Sequence, residues 1–598
     1  MTLRVVSMML LCAALGSCGE AWGDQRGESA PSPLARIETA LAAGEITPAE
    51  GAFYKLLALH RSGRLPSRFA VPEAPPIKCG TLIVQEARAH LDAMSSEMRQ
   101  AAAAFLVRPI LDSYVDTDNF RIHYATSGLD MIYQWPNTAY RDAVVAACDS
   151  SYSYQNDRRG WPHPPSDGSN GGGIGLIDCY VEDNGGAYYG VTYAESQVPG
   201  GYPNDWTAYF CIDNDYQGFG YTDRTWPMKV TVAHEYNHVI QIGLNAGAGW
   251  WMENTATFME DEVYDEVNDN YGYLAFYTNN PWTRLDYANG GFEYGCFLWP
   301  TFLSEAFGHS VVRDVWTAYA SNTNLYTCFD NKLAAFGKNL DTAVAEWTLW
   351  NCFTSTRDDG EHYVEGGAYN RLVVQDNNIL TYPQTNLHPT SGRWPQGLGM
   401  NLTRFYRQSG STDNKILVSY QALNSCGYNH QIWFVRKLLG QPVWQIWPVA
   451  VNGTGAASFE ATEWDATEYM LMAVPMKRAC GTTGKDFQFS ASTTYVVDVA
   501  DGMRPARQVR LDQNSPNPFS PSTAISFSLP EEGPVRLQLF DVAGRRVRSL
   551  VDGILREGEH EVHWGGTDDE GSRLAQGVYL CVIEANGERI VRKMQLVD

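Results

Sequence analysis

At 598 residues the chain exceeds what one ordinary core supports, so several domains are expected. Its 44 Lys and Arg against 68 Asp and Glu leave a net charge of −24, which excludes nucleic acid and an anionic membrane surface as partners. Charged residues at 19% and aromatics at 12% exclude a disordered chain and fit a packed, soluble, secreted one.

The first residues are a targeting segment. Arg4 precedes an apolar run over 5–14 that is too short to span a bilayer, giving a signal peptide over 1–21, and no later stretch is long and apolar enough to cross. Leu15-Gly16-Ser17-Cys18 resembles a bacterial lipobox, which would place a lipid anchor on Cys18; ordinary cleavage near Gly16 or Ala21 is the equal alternative. Residues 22–112 read as a helical leader or pro-region. Ser32-Pro33 and Thr47-Pro48 each pair a capping residue with Pro at the first helical position. A further helix is expected over 82–105, with Ala74-Pro75-Pro76-Ile77-Lys78-Cys79-Gly80 as a Pro-rich break before it.

Residues 113–358 are assigned to a catalytic domain. Strands are expected over 119–124, 174–181, 188–193 and 207–213, a helix over 139–150, and a polar Gly/Pro-rich loop over 158–173. Then comes His234-Glu235-Tyr236-Asn237-His238 inside an apolar run that ends at Gly243. Positions i and i+4 share a helix face, so His234 and His238 can hold one metal ion while Glu235 takes a proton from its water. Trp250-Trp251-Met252-Glu253 opens a second helix, fifteen residues beyond His238 at Glu253, with the turn over 245–249 between. A catalytic zinc needs three protein ligands and one open position, and Glu253 supplies the third. Glu260, two turns on, reads as an acid that supports a ligand or faces solvent. Largely helical segments follow over 292–307, 310–319 and 342–353.

His234-Glu235-x-x-His238 followed by Trp250-x-x-Glu253-x-x-Ala256-x-x-x-Glu260 resembles the gluzincins, whose third zinc ligand is a Glu on the helix after HExxH. The stretch from about Phe120 to Gly308 is similar to a family of secreted bacterial metalloproteases carrying the same segments. The resemblance implies a zincin-like domain, a mixed sheet with zinc-binding helices, whose edge strand holds substrate as an added strand. Gly185-Gly186-Ala187-Tyr188-Tyr189-Gly190 is the candidate for that edge, with a plain hairpin as the alternative. The resemblance also implies a Tyr or His that steadies an oxyanion. Tyr294 is the candidate, although the related aminopeptidases place their Tyr three residues before a Gly, the offset that Phe292 occupies here. Their upstream Gly-x-Met-Glu-Asn motif is absent, which favours an endopeptidase.

Residues 359–497 read as a β-sandwich, with strands near 372–374, 415–420, 431–435, 469–474 and 487–490. A polar linker over 498–513 leads to 514–598, whose Asn517-Pro518-Phe519, Leu539-Phe540-Asp541 and Gly577-Val578-Tyr579 resemble the flagellar hook-capping Ig-like domain and type IX sorting domains. That resemblance implies secretion machinery or the cell surface as a partner. Asp568-Asp569-Glu570-Gly571 reads as a hairpin turn before a calcium site. Ten cysteines remain beyond Cys12 and Cys18; Cys328 with Cys352 and Cys426 with Cys480 are candidate disulfides by domain, a connectivity that sequence does not fix, and the nine from Cys79 to Cys480 leave at least one thiol without a partner there. Cys79 is expected in a disulfide with a partner such as Cys148. Alternatively its Pro/Cys/Gly setting resembles segments by which metalloprotease pro-regions place a thiolate on zinc. His123, His163 and His309 read as structural. The expectation is a multidomain α+β chain: a secreted Zn2+-dependent peptidase acting on proteins or peptides, followed by two β-sandwich modules. The alternative is a surface adhesion or glycan-binding protein with a vestigial zinc site.

Overall fold

A computed structural model describes residues 32–71, 74–173, 175–374, 378–424, 430–441, 444–495, 509–530, 532–541, 544–585 and 587–597. The expected signal peptide, Cys18 and most of the expected linker lie outside them. The chain is a multidomain α+β protein that divides into two compact units, Met1–Val496 and Val497–Asp598.

The leader begins with helices α1 (Pro33–Ala42) and α2 (Pro48–Leu59). Ser32 accepts from the Ala35 N–H, and Thr47 and Glu50 form a reciprocal capping box, as the Ser-Pro and Thr-Pro starts lead one to expect. The expected helix over 82–105 is instead two, α3 (Thr81–His90) and α4 (Ser96–Ala103), because Ser95 caps a new start. The Pro-rich break is not a mere connector. Ile77–Cys79 forms strand β1, which pairs in parallel with a strand of the following domain.

That domain holds β2 (Ser113–Asp116), β3 (Phe120–Tyr124), helix α5 (Ala139–Tyr152), β4 (Ile177–Glu182), β5 (Tyr188–Gln197) and β6 (Trp206–Asp213). The mixed sheet runs β1-β5-β6-β4-β3-β2. Alternate residues face opposite sides of a strand, and both sides are covered. Phe120, Ile122, Cys179, Val181, Phe210 and Ile212 join the main core, whereas Tyr180, Tyr188, Tyr193, Tyr209 and Cys211 pack with leader residues such as Leu56, Leu57 and Val84. The leader therefore completes the sheet at its edge and covers one of its faces.

Helices α6 (Thr225–Ile242) and α7 (Gly249–Val263) follow, then α8 (Leu274–Thr278), α9 (Phe292–Gly295), α10 (Leu298–Phe307), α11 (Ser310–Ala320), α12 (Leu325–Leu333) and α13 (Leu340–Trp350). Trp251 stacks on Trp316 and meets Phe329 edge-on, which seats α7 on the later helices. Tyr363, Tyr369 and Leu372 also belong to this core, and 372–374 is irregular, not the strand expected there.

The rest of the unit is two facing sheets. One is ordered β13 (Ala456–Thr462), β10 (Lys415–Ala422), β15 (Phe487–Thr494), β8 (Gln384–Leu387). The other is ordered β12 (Trp444–Ala450), β11 (Gln431–Leu438), β14 (Thr467–Pro475), β9 (Met400–Tyr406), β7 (Asn378–Ile379). The second unit is a smaller pair of sheets, one ordered β16 (Arg510–Leu511), β17 (Thr523–Leu529), β20 (Gly558–Trp564), the other β19 (Arg546–Leu555), β18 (Gly533–Asp541), β21 (Gly577–Ala585), β22 (Glu588–Leu596), closed around Phe527, Leu537, Trp564 and Ile583. Its Asp568 carboxylate accepts from the Ser572 N–H, and Gly571 adopts a positive φ, which makes 568–572 a turn.

The expected disulfides require correction. Cys79, Cys148, Cys328 and Cys352 all carry free thiols, so neither Cys328–Cys352 nor Cys79–Cys148 forms. Cys148, Cys328 and Cys352 sit as small buried side chains, and the Cys352 thiol donates to the Thr348 carbonyl of its own helix. Cys480 is disulfide-bonded, and its expected partner, Cys426, lies outside the described residues.

Candidate metal centre

Helix α6 lies between the sheet and α7, and it is buried from Pro227 to Ile242 except at Lys229. A helix buried all round must satisfy every polar side chain internally. His234 and His238 point the same way, with Nε2 atoms 3.1 Å apart. Glu253 reaches in from the first turns of α7, its Oε2 at 3.2 Å from His234 Nε2 and 3.5 Å from His238 Nε2. In a tetrahedral zinc site with bonds of about 2.0–2.1 Å, ligand atoms stand about 3.3 Å apart, so this triangle has the right size.

The outer nitrogen of each ring is also held. His234 Nδ1 lies 2.7 Å from Glu260 Oε1, and His238 Nδ1 lies 2.7 Å from Gln241 Oε1. Gln241 in turn donates to the Met252 carbonyl and to Thr255 Oγ1. Such partners fix the ring orientation and leave each Nε2 lone pair free for a cation. Burial alone would lower the His234 pKa, but Glu253 and Glu260 outweigh it and raise it to about 9. Burial alone would raise the Glu253 carboxyl, but His238 and His234 outweigh it and bring it down to about 2. Without metal, a proton on His234 supplies the positive charge that the acids require.

Glu235 is fully buried beside the triangle. Its Oε2 accepts from Thr192 Oγ1 at 2.7 Å and from Thr81 Oγ1 at 3.2 Å, while Oε1 has no partner. The sheet approaches so closely here that a Cβ on Gly190 would stand 2.7 Å from Glu235 Cγ. The second oxygen of Glu253 is likewise buried and unpartnered. Two buried carboxylate oxygens without partners are costly unless a cation or water meets them. The donor set and these orphans both fit a zinc ion.

The fourth corner comes from the leader. Cys79, His234, His238 and Glu253 offer ligand atoms all within 4.8 Å of one another, the one such group among the described residues. β1 brings it there, through hydrogen bonds from the Ile77 N–H to the Ala187 carbonyl and from the Gly80 N–H to the Gly190 carbonyl. Burial, with Glu235 and Glu253 nearby, pushes the Cys79 thiol well up, so the thiolate form requires a compensating cation. The β5 edge singled out in sequence is thus occupied by the chain's own leader.

Tyr294 on α9 is buried, its ring centroid 6.3 Å from that of His234, whereas Phe292 turns away to pack on Tyr277 and Tyr287. Glu293 anchors this loop by accepting from the Asn289, Gly290 and Gly291 N–H groups. His123 stacks on Tyr180 and pairs with Asp178, His163 bonds Tyr152 and His309 bonds Ser304, all away from the centre. Sequence reasoning missed Thr81, Thr192 and Gln241. Gln241 carried a signal, since it lies at i+3 from His238 on the same face; the threonines carried none.

Residues 514–588 match the FlgD Ig-like domain family, which makes the last module an Ig-like domain. No curated protein matches the chain. Among solved structures, PorZ of the type-IX secretion system of Porphyromonas gingivalis is 18% identical over 19% of this chain and 14% of that one, with a TM-score of 0.12. Latent PorU of the same organism is 10% identical over 37% and 34%, TM-score 0.14, and a Bacteroides uniformis beta-glucuronidase is 12% identical over 33% and 27%, TM-score 0.13. The chain spans about a third or less of each, and likenesses this low carry no argument. Among the described residues no helix is long and apolar enough to cross a membrane.

Proposed function

We propose that the chain is a zinc-dependent peptidase of zincin-like build, described here in a latent form. His234, His238 and Glu253 would hold the metal, and Cys79 would join them as a ligand for as long as β1 stays on the β5 edge. The observation that carries this reading is the convergence of four ligand atoms within 4.8 Å beside the orphaned oxygen of Glu235. Bound there, zinc would supply a Lewis acid and an acidified water.

The chain's own groups do the rest. Glu235 Oε1 is the base that receives the water proton and passes it to the leaving amine, while Thr192 holds Oε2 in place. Tyr294 is the group proposed to steady the developing oxyanion. Once vacated, the β5 edge offers its Ala187 and Gly190 carbonyls to an extended peptide, which suits an endopeptidase. Leader residues touch both parts of this machinery, Thr81 at the base and Cys79 at the metal corner, so the leader is a lock rather than a neighbour. The Ig-like module is proposed to serve secretion or surface attachment. An adhesion protein with a dead site is disfavoured, since its cheapest loss would be Glu235, which is present and held.

The test is metal analysis and peptide-library cleavage on the full chain, with and without chelator. Wild type is expected to hold zinc and cleave slowly, Cys79→Ser to hold zinc and cleave faster, and chelator to abolish both activities. A zinc-loaded Cys79→Ser chain that is folded and cleaves nothing contradicts the peptidase; faster cleavage that survives chelation contradicts the metal.

A further inference from the structure

Beside Cys79 the same strand buries a lysine, and nothing in the hydrolytic scheme uses it. The Lys78 side chain is 1% exposed, and its Nζ stands 2.9 Å from Glu260 Oε2 and pairs as closely with Asp269. The Tyr189 and Tyr273 rings flank the ammonium at 4.9 and 5.4 Å, and the Tyr221 hydroxyl holds the far oxygen of Asp269. This is a closed pocket with two acids at its base and aromatic walls, built from α7, the segment after it, β5 and Tyr221 ahead of α6. Every group of it belongs to the catalytic half; only the lysine comes from the leader.

Resting on the peptidase reading, we infer that this pocket selects a basic side chain in the substrate, with Lys78 standing in for it in the latent form. A peptide that replaces β1 along β5 presents its side chains to the same places. When Lys78 leaves, Glu260 and Asp269 remain side by side in a site nearly closed to water, where two carboxylates repel each other and neither is solvated. A Lys or Arg restores the ion pairs and the cation–π contacts; a neutral or acidic side chain does not. Because Glu260 also holds His234, the pocket and the candidate metal ligand share one acid.

Two measurements on the full chain test this. The first needs no catalysis: Lys78→Ala empties the pocket, and n-butylammonium chloride is expected to raise its melting temperature, with n-butanol and sodium chloride at equal concentration doing less. An ammonium effect no larger than that of the alcohol or the salt overturns the pocket's selectivity. The second reads cleavage positions of a random peptide library by Lys78→Ala/Cys79→Ser, whose β1 has lost both anchoring side chains. Lys and Arg are expected to be enriched at a single position, and Asp269→Asn in that background should cut the basic-to-neutral ratio of kcat/KM about tenfold or more. Cleavage with no basic preference, or a preference untouched by Asp269→Asn, overturns the inference while the peptidase stands. If zinc is bound and nothing is cleaved, the peptidase reading falls and the butylammonium result alone decides the pocket.

Discussion

Two interiors of the first unit are built in opposite ways. Between α6 and α7 the buried side chains are polar: His234, Glu235, Asn237, His238, Gln241, Glu253 and Glu260. Between the sheets of the sandwich, Ile416, Val418, Phe434, Phe487 and Phe489 meet as apolar surface. The sandwich needs only area and fit, about 25 cal/mol per Å² removed from water. The polar interior is stable only as far as its donors meet acceptors. Among the atoms left without a partner, the charged ones are Glu235 Oε1 and Glu253 Oε1, on the two helices that carry the candidate ligands. Charged oxygens left without a partner inside a buried cluster of metal-ligand side chains are a mark that burial alone does not give.

The comparison can be broken most sharply at Glu235. In the Cys79→Ser chain, Glu235→Gln should leave the zinc content unchanged and lower peptide cleavage by about 10²- to 10⁴-fold or more, since proton transfer is lost while every ligand stays. Undiminished cleavage would remove Glu235 from the mechanism. On the other side, Phe434→Ala deletes a ring stacked on Phe459 at 4.2 Å and should cost about 3–5 kcal/mol in denaturant unfolding. Zinc affinity of the folded variant should not change. If it does, the two interiors are coupled and the contrast between them fails.

Smaller effects separate ligand from support. Glu260→Ala should weaken zinc by about 10- to 100-fold, because it frees the outer nitrogen of His234, and Glu253→Ala should weaken it further. Competition with a chelator of known affinity ranks them, and the reverse order would move the third ligand to Glu260. The least effect is a proton count. With its thiol pushed up by burial and by Glu235 and Glu253, Cys79 enters the metal-free site protonated. Calorimetry in two buffers should therefore find about one more proton released per zinc for wild type than for Cys79→Ser. Equal release would show that Cys79 does not ligate.

Much of this centre was legible because its spacing is local. The i, i+4 period puts His234 and His238 on one helix face whatever the tertiary setting, and the turn over 245–249 gives α7 a single way back. The leader was legible only as helices. β1 is three residues long, follows two prolines and has no alternation of its own; it is a strand because β5 offers it an edge, and a lone sequence does not display nonlocal pairing. The same limit hid Thr81 and Thr192, which reach Glu235 from separate strands and helices. Compartment and count pointed the cysteines toward disulfides, but their surroundings make most of those described small buried side chains, and β1 carries Cys79 beside His234, His238 and Glu253 instead. The sandwich strands were found where alternation was strict, as in 415–420, and lost where both faces are covered, as in β9, whose Met400, Asn401, Leu402 and Thr403 are all buried.

The central claim is that Cys79 closes a zinc site made by His234, His238 and Glu253. X-ray absorption at the zinc edge of the full chain tests it directly. The account predicts one sulfur at about 2.3 Å with nitrogen and oxygen ligands at about 2.0–2.1 Å, and a shell without sulfur in Cys79→Ser. A wild-type shell of nitrogen and oxygen alone, or a sulfur that survives Cys79→Ser, would contradict it.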